Sequence, residues 1–450
     1  AIDNVAGVNT SDHEVNIKIL LGSAIADGLI TGDERNALLV EMTDDVAERV
    51  LYASYTQTQA ISLALAQAPQ MLVVHARLIS QLEQTTGLDR ELEALPNARV
   101  IAERRANGRG LVAPELATLI AYCKIRLYEA LLDSNLPEDP YLFGDLERYF
   151  PDPLGERYGA QMRVHRLRRE IISTVVASQL VDRAGTTFAF RLAEETGATT
   201  SQLARAFAVA REVFEMRAFW AAVEQLDNKI AARTQLEMLI EGRRLVERAT
   251  RWLVRAHSDT IDIEATTERF LEPARMLAEA LPGVLEGSDA DTFRRRLGAL
   301  SEAGVPAALA RQVASMQAVL SVFDIVEDAA ATGRMQSEVM GVYFALGSRL
   351  GLDWLRDQII ELPRADRWQA LARAALRDDL FILHRSLTRE ALMSGGPDVD
   401  SESSIAAWRA DNEPAIERAL AVLAEVKASG TYDTTTLPVV LRELKSLVRD

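Results

Sequence analysis

One cysteine, Cys123, stands in 450 residues, so no intrachain disulfide can form. Its setting, ATLIAYCKIRLYEA, is an apolar run in which a thiol packs as a small hydrophobe, since a reactive thiolate needs an accessible, electropositive niche. A reducing, cytoplasmic location is expected. The five histidines, His13, His75, His165, His257 and His384, are scattered singly. His13-Glu14 could begin a zinc-binding helix, but Ile17 occupies the place of the second histidine, and no metal site is expected. Positive charge is also scarce: 50 Lys and Arg against 66 Asp and Glu give a net charge of -16 and a pI near 5.0, which argues against nucleic acid or an anionic membrane as partner. No uncharged run approaches the roughly 20 residues that span a bilayer, and no signal peptide opens the chain. GxSxG elbows, Walker A loops and sustained alternation of β-branched and aromatic residues are missing too.

Apolar residues instead recur at intervals of three and four almost everywhere, and with 48% hydrophobic residues the chain has ample material for cores. The expected fold class is all-α. Between Asp44 and Ala68 one stripe carries Val46, Val50, Ala53, Ile61, Ala64 and Leu65, with Ser54 and Gln57 as polar exceptions, and Pro69 is expected to end it. Pro114 should open a second helix, and a third should run from Gly159 to Ala184 before Gly185. Further helices are expected over Thr234 to His257, Pro306 to Ala331 and Asp366 to Ser394. GGPDVDSESS then reads as a linker, followed by a late helix and a short terminal one. No internal repeat at a fixed period is evident.

Ser11-Asp12-His13-Glu14 has the capping-box pattern, in which each side chain satisfies the other residue's backbone N–H. A helix starting there could instead offer its free N–H groups to a carboxylate. Gly108 to Ala113, GRGLVA, matches the GxGxxG/A pattern, but the charged helical stretch NARVIAERRAN precedes it where a dinucleotide fold needs a strand. A helix end, a short loop and a proline-started helix explain it better. Arg163, Arg166, Arg168 and Arg169 form a basic cluster that acids such as Glu156 and Glu170 could neutralise, with an anion or effector site as the alternative. Asp324, Glu327, Asp328, Asp378 and Asp379 cannot be assigned acid–base roles from sequence.

Taken together, DNVAGVNTSDHEVNIKILL, ERNALLVEMTDDVAERVL, YASYTQTQAISL, GRGLVAPELATLIAYCKIRLYEALL, NLPEDPYL, HRLRREIISTVVASQLVDRAGTTFAFRLAEETGA and LDWLRDQIIELPRADRWQALARAALRDDL resemble the C-terminal region of the large bacterial NAD-dependent glutamate dehydrogenases. The resemblance runs from Ile2 to about Thr388. It implies oxidative deamination of glutamate to 2-oxoglutarate with NAD in the whole enzyme. AGVNTS resembles the last glutamate-site segment of these enzymes, which assigns Val8 to the pocket for the substrate side chain and Ser11 to its distal carboxylate.

On that resemblance the catalytic lysine and aspartate and the cofactor-binding unit lie upstream of Ala1. The chain alone is expected to have no catalytic residue, to bind no NAD and to be inactive, and the missing initiator methionine fits a severed tail. Residues 1–22 would be the last loop and helix of the catalytic domain. Residues 23–394 would be a helical domain with sub-boundaries near 136 and 258, residues 395–404 a linker, and 405–450 a terminal helical segment. Expected partners are the upstream catalytic domain and other subunits of a homo-oligomer. The alternative is a stand-alone helical scaffold or effector-binding module without activity.

Overall fold

A computed structural model describes residues 2–257, 261–363, 366–395 and 399–448, with side chains for all of these except 2–5, 156 and 367. Every regular element among the described residues is helical, as the three-and-four periodicity requires. Contacts divide the chain into two units, residues 1–209 with 249–264, and residues 210–248 with 265–450.

In the first unit, the Ala113–Leu132 helix packs on Arg168–Gln179 and on Thr43–Thr85, and Thr43–Thr85 packs on Ile2–Ala26. The joint is apolar, with Leu72, Ile79, Leu116, Leu119 and Ile172 all at most 2% exposed. The Thr43–Thr85 helix runs straight through Pro69, where the stripe was expected to end. Interior proline costs a helix about 3 kcal/mol. Met71, Leu72, Leu78, Ile79 and Leu82 beyond it are buried, and each contributes about 1.5 to 3 kcal/mol, so burial outweighs the break.

The stretch expected as one helix from Gly159 to Ala184 is interrupted. Asp152–Arg163 ends, a turn follows, and Arg168–Gln179 begins a new helix. His165 causes the interruption: its ring is buried and its Nδ1 accepts from the Leu167 N–H at 3.1 Å, which fills the hydrogen bond that a continuous helix would have supplied. The new helix finishes in a π-helical turn, Leu180–Ala184, closed by Gly185 at φ +109°.

The second unit is organised around Gln336–Arg349. Its Val339, Met340, Val342, Tyr343, Phe344, Ala345 and Leu346 are all buried, as befits a helix apolar nearly all round. Val322–Thr332, Leu352–Glu361, Arg367–Ser394 and Ser401–Ser429 pack against it. Phe323 sits edge-on to Phe214 at 5.7 Å and to Phe270 at 4.9 Å. The expected helix from Pro306 to Ala331 is bent by 60° between Ala307–Ser315 and Val319–Thr332. The Ser315 hydroxyl donates to the Arg311 carbonyl at 2.8 Å, a back-bond that competes with the helix ladder at the bend. Asp366 and Asp400 cap their helices by accepting from Gln369 and Ser403. Helix therefore resumes at Ser401, inside the stretch read as a linker, of which residues 396–398 lie outside the described residues. Residues 258–260, at the expected boundary near 258, lie outside them too.

Candidate functional site

The N-terminal helix is continuous from Ile2 to Ala26, so the loop and the helix start expected at Ser11 are not formed. Ser11 lies mid-helix and exposed, with its hydroxyl donating to the Val8 carbonyl at 2.7 Å, while Glu14 pairs with Lys18 instead of reaching back to Ser11. The backbone N–H groups around Ser11 are thereby inside a helix and unavailable to a ligand. A complete capping box forms at Thr31 and Glu34, where the turn at Gly28, φ +69°, frees the next helix start. The same pattern is a cap only where the preceding backbone leaves the helix.

Val8, Ser11, Asp12 and Val15 follow the spacing of one helical face and are all exposed, the two valines by 53% and 51%. The opposite face is fixed. Ile17, Leu20, Leu21 and Ala24 are at most 2% exposed. Beside them His13 stacks on Tyr149 with ring centroids 4.4 Å apart, and the Asn16 amide donates to the Tyr149 hydroxyl at 2.9 Å. His165 meets the Asn16 carbonyl through Nε2 at 3.1 Å. Because its Nδ1 accepts from Leu167, the Nε2 carries the proton and donates.

Electrostatics keep this cluster neutral. Burial, then the positive charge of Arg49, pull His13 down to about 4. Burial also lowers His165, against the pull of the Asn16 carbonyl, and pushes Tyr149 up to about 12. None of these groups exchanges a proton readily near neutrality. The cluster therefore acts as an anchor that sets how the helix is rotated, and so which face carries Val8 and Ser11.

The remaining sequence candidates serve the fold. Gly108, at φ +62°, ends the Ala98–Ala106 helix region, and Pro114 lies in the first turn of Ala113–Leu132. Gly110 is pressed against the backbone of Ala68, which leaves its peptide no room to cradle a pyrophosphate. Glu115 holds the loop by accepting from Val112 N–H at 2.8 Å and from both terminal nitrogens of Arg104 at 2.6 and 2.8 Å. In the basic cluster, Arg168 and Arg169 both pair with Glu138, and Arg169 also donates to the carbonyls of Leu132 and Ser134. Arg163 lies 5.3 Å over the Phe143 ring. The acids that pair with the cluster are thus Glu138 for Arg168 and Arg169 and Glu147, at 3.9 Å, for Arg163; the Glu156 side chain lies outside the described residues. Asp324 and Asp328 face Arg385, and Asp328 also meets Arg389 at 2.6 Å, while Glu327 pairs with Arg269. Cys123 is buried, and that burial pushes its thiol up to about 12. No group of three or more metal-ligating side chains is found among the described residues.

Sequence reasoning missed a partly buried polar assembly around the π-helical turn, in which Asp182 and Arg183 are buried and Tyr52 is half exposed. Lys124 donates to Asp182 at 2.8 Å, while Arg183 donates to Gln59 Oε1 at 3.0 Å and to the Tyr52 hydroxyl at 2.5 Å. π-Turns tend to occur at functional positions. The one available signal was a charge at Lys124 and at Asp182 inside otherwise apolar runs, because partners so far apart in the chain produce no periodicity.

Two family models match the chain: one described as glutamate dehydrogenase, C-terminal, over residues 108–446, and one described as bacterial NAD-glutamate dehydrogenase, catalytic domain, over residues 1–64. The NAD-specific glutamate dehydrogenase of Pseudomonas aeruginosa is 42% identical over 449 residues, covering 100% of this chain and 28% of that protein. Those of Mycobacterium tuberculosis and Halomonas elongata are each 38% identical, over 100% and 99% of this chain and 28% of their own lengths. The chain thus spans about 28% of the curated relatives it matches.

Proposed function

Because the chain belongs to the family of glutamate dehydrogenase C-terminal regions, we propose that it is the C-terminal part of a large NAD-dependent enzyme that converts L-glutamate, NAD and water to 2-oxoglutarate, ammonia and NADH. The observation that carries this reading is the N-terminal helix. Its anchored face leaves Val8 and Ser11 side by side and exposed, within the residues 1–64 that match a catalytic-domain model.

In this reading Val8 packs against the methylene groups of glutamate, and the Ser11 hydroxyl turns from the Val8 carbonyl to donate to the distal carboxylate. Proton transfer and hydride transfer belong to residues outside this chain. NAD would be held outside this chain too, a reading supported by the contact of Gly110 with Ala68, which closes the one glycine pattern that could suggest a dinucleotide loop. The helical units would buttress the catalytic domain within a cytoplasmic homo-oligomer. The alternative scaffold or effector reading rested on Arg163 to Arg169, and it is less well supported now that Arg168 and Arg169 are engaged by Glu138.

Ser11→Ala in the full-length enzyme tests the proposal. A hydrogen bond to a charged group contributes about 1.5 to 3 kcal/mol, and the bond to Val8 that must be surrendered offsets about 0.5 to 1 of it. The KM for glutamate should rise about 5- to 30-fold with kcat little changed. An unchanged KM would remove Ser11 from the site.

A further inference from the structure

We propose that the exposed face of the Thr43–Thr85 helix between Leu51 and Leu65 is a docking surface for the upstream catalytic domain of the same polypeptide, an inference that rests on the parent-enzyme reading above. From Val50 to Ala76 the chain carries no Asp, Glu, Lys or Arg, although these make up 26% of the whole sequence. A helical face that stays in water ordinarily carries such charges. Leu51, Tyr55, Thr58, Ser62 and Leu65 follow one another at intervals of four and three, which places them along one side of the helix, a stripe about 21 Å long at 1.5 Å per residue. Leu51 is 65% exposed, Leu65 45%, and Tyr52 beside them 50%.

This face is prepared to lose its water. The Thr58 hydroxyl donates to the Tyr55 carbonyl at 2.8 Å and the Ser62 hydroxyl to the Thr58 carbonyl at 3.0 Å, so both bond within their own helix. Arg183 donates to the Tyr52 hydroxyl and to Gln59, whose amide in turn donates to the Tyr55 hydroxyl at 3.3 Å. Each of these groups keeps its partner when the surface is covered, which removes the main cost of burying polar atoms. Tyr52 and Tyr55 also lie nearly parallel, with ring centroids 6.3 Å apart and planes 10° from parallel. Rings fixed in advance lose little freedom on association, and anchored tyrosines are characteristic of the centre of an interface.

Three observations select the occupant. The catalytic-domain family model covers residues 1–64 and so takes in the stripe to within one residue of Leu65, whereas the C-terminal model begins at residue 108. The Ile2–Ala26 helix, which carries Val8 and Ser11, packs on the Thr43–Thr85 helix, so a domain joined ahead of it arrives beside the stripe at high effective concentration. A second copy of the chain has no such tether and brings a net charge of -16 toward a net charge of -16. The counterface is apolar or uncharged, because a charge buried against Leu51 to Leu65 would meet no opposite charge along the stripe.

The test is hydroxyl-radical footprinting of the native full-length enzyme. Leu29, 55% exposed, and Leu92, 81% exposed, are references of the same side-chain chemistry away from the stripe. Leu51 and Leu65 should be oxidised about tenfold more slowly than these references, since the centre of an interface excludes water. Ser62→Glu, a change at an exposed position, should return both leucines to the reference rate while Leu29 and Leu92 stay unchanged. Ser62→Ala, which removes a hydroxyl already bonded within its helix, should leave them protected. Placing p-benzoylphenylalanine at exposed Gln70, just past the stripe, identifies the cover: irradiation of enzyme assembled from isotopically labelled and unlabelled subunits should give cross-links to upstream residues of the same isotopic composition. Reference-rate oxidation of Leu51 and Leu65 in the native enzyme, protection that survives Ser62→Glu, or cross-links of mixed isotopic composition would each overturn the proposal. Glutamate oxidation is assayed on the same preparation, so an exposed stripe in an active enzyme counts against the docking face alone, whereas a protected stripe in an inactive one counts against the parent-enzyme reading.

Discussion

Replacing Gly110 with alanine should be the most damaging single-methyl change in the loop between the Ala98–Ala106 and Ala113–Leu132 helices. A Cβ on Gly110 would lie 2.3 Å from the Ala68 carbonyl carbon, 2.5 Å from its Cβ and 2.6 Å from its oxygen, where ordinary contact is 3.4 to 4 Å. All three atoms belong to backbone or to its first carbon, so no rotamer change relieves the overlap. The loop must retreat by about 1 Å, drawing out Leu111, which is 2% exposed, and disturbing the carbonyl that accepts from Arg104. Overpacking costs about 1 to 3 kcal/mol, and a rigid backbone neighbour places this case at the upper end. Gly108→Ala is the internal control: nothing lies within 4 Å of its Cβ position, and only the left-handed φ of +62° opposes it, at about 1 kcal/mol. Native-state hydrogen exchange of the full-length protein at residues 64–72 and 111–120 reads both. With 1.4 kcal/mol per tenfold, Gly110→Ala should speed exchange about 30- to 150-fold and Gly108→Ala about 5-fold. Should Gly108→Ala prove the worse variant, or Gly110→Ala leave exchange unchanged, the packing argument is wrong.

Two further outcomes follow from buried titratable groups. His75, 2% exposed, is pulled down to about 4 by burial and then by Arg191. Its unfolded form protonates near 6.5, so between about 6.5 and 4 the unfolded chain binds the extra proton and stability declines as pH falls, with no contribution from this group above that window. Urea midpoints measured from pH 7 to 4.5 should fall less steeply in His75→Leu than in the native protein; parallel slopes would contradict the assignment. Cys123, with its thiol pushed up to about 12, should resist iodoacetamide at pH 8 until urea unfolds the first unit, and rapid labelling of the native protein would mean that the thiol is accessible.

Periodicity sufficed for the all-α architecture because helix packing writes itself into spacings of three and four. The loop around Gly108 was also legible, since a left-handed glycine and a first-turn proline are local devices. Element ends governed by tertiary contacts were not. Pro69 is a local stop overridden by the leucines packed beyond it, and Ser11 to Glu14 is a local start that the preceding helix ignores. His165 breaks a helix for the opposite reason: its ring is recruited to Asn16, 149 residues away. For the candidate site, the resemblance singled out Val8 and Ser11, whereas the anchor behind them, His13 with Asn16, Tyr149 and His165, depends on contacts that no spacing announces.

That anchor turns the N-terminal helix into a lever. Asn16 is the fulcrum, and at 1.5 Å per residue Val8 lies roughly 12 Å out along a rod with no joint. A tilt of about 5° at the fulcrum would sweep Val8 through about 1 Å, the scale of misplacement that costs enzymes about 10²-fold in rate. In the proposed enzyme, a perturbation at Tyr149 or His165 would therefore reach the glutamate pocket as a mechanical displacement, without touching the substrate.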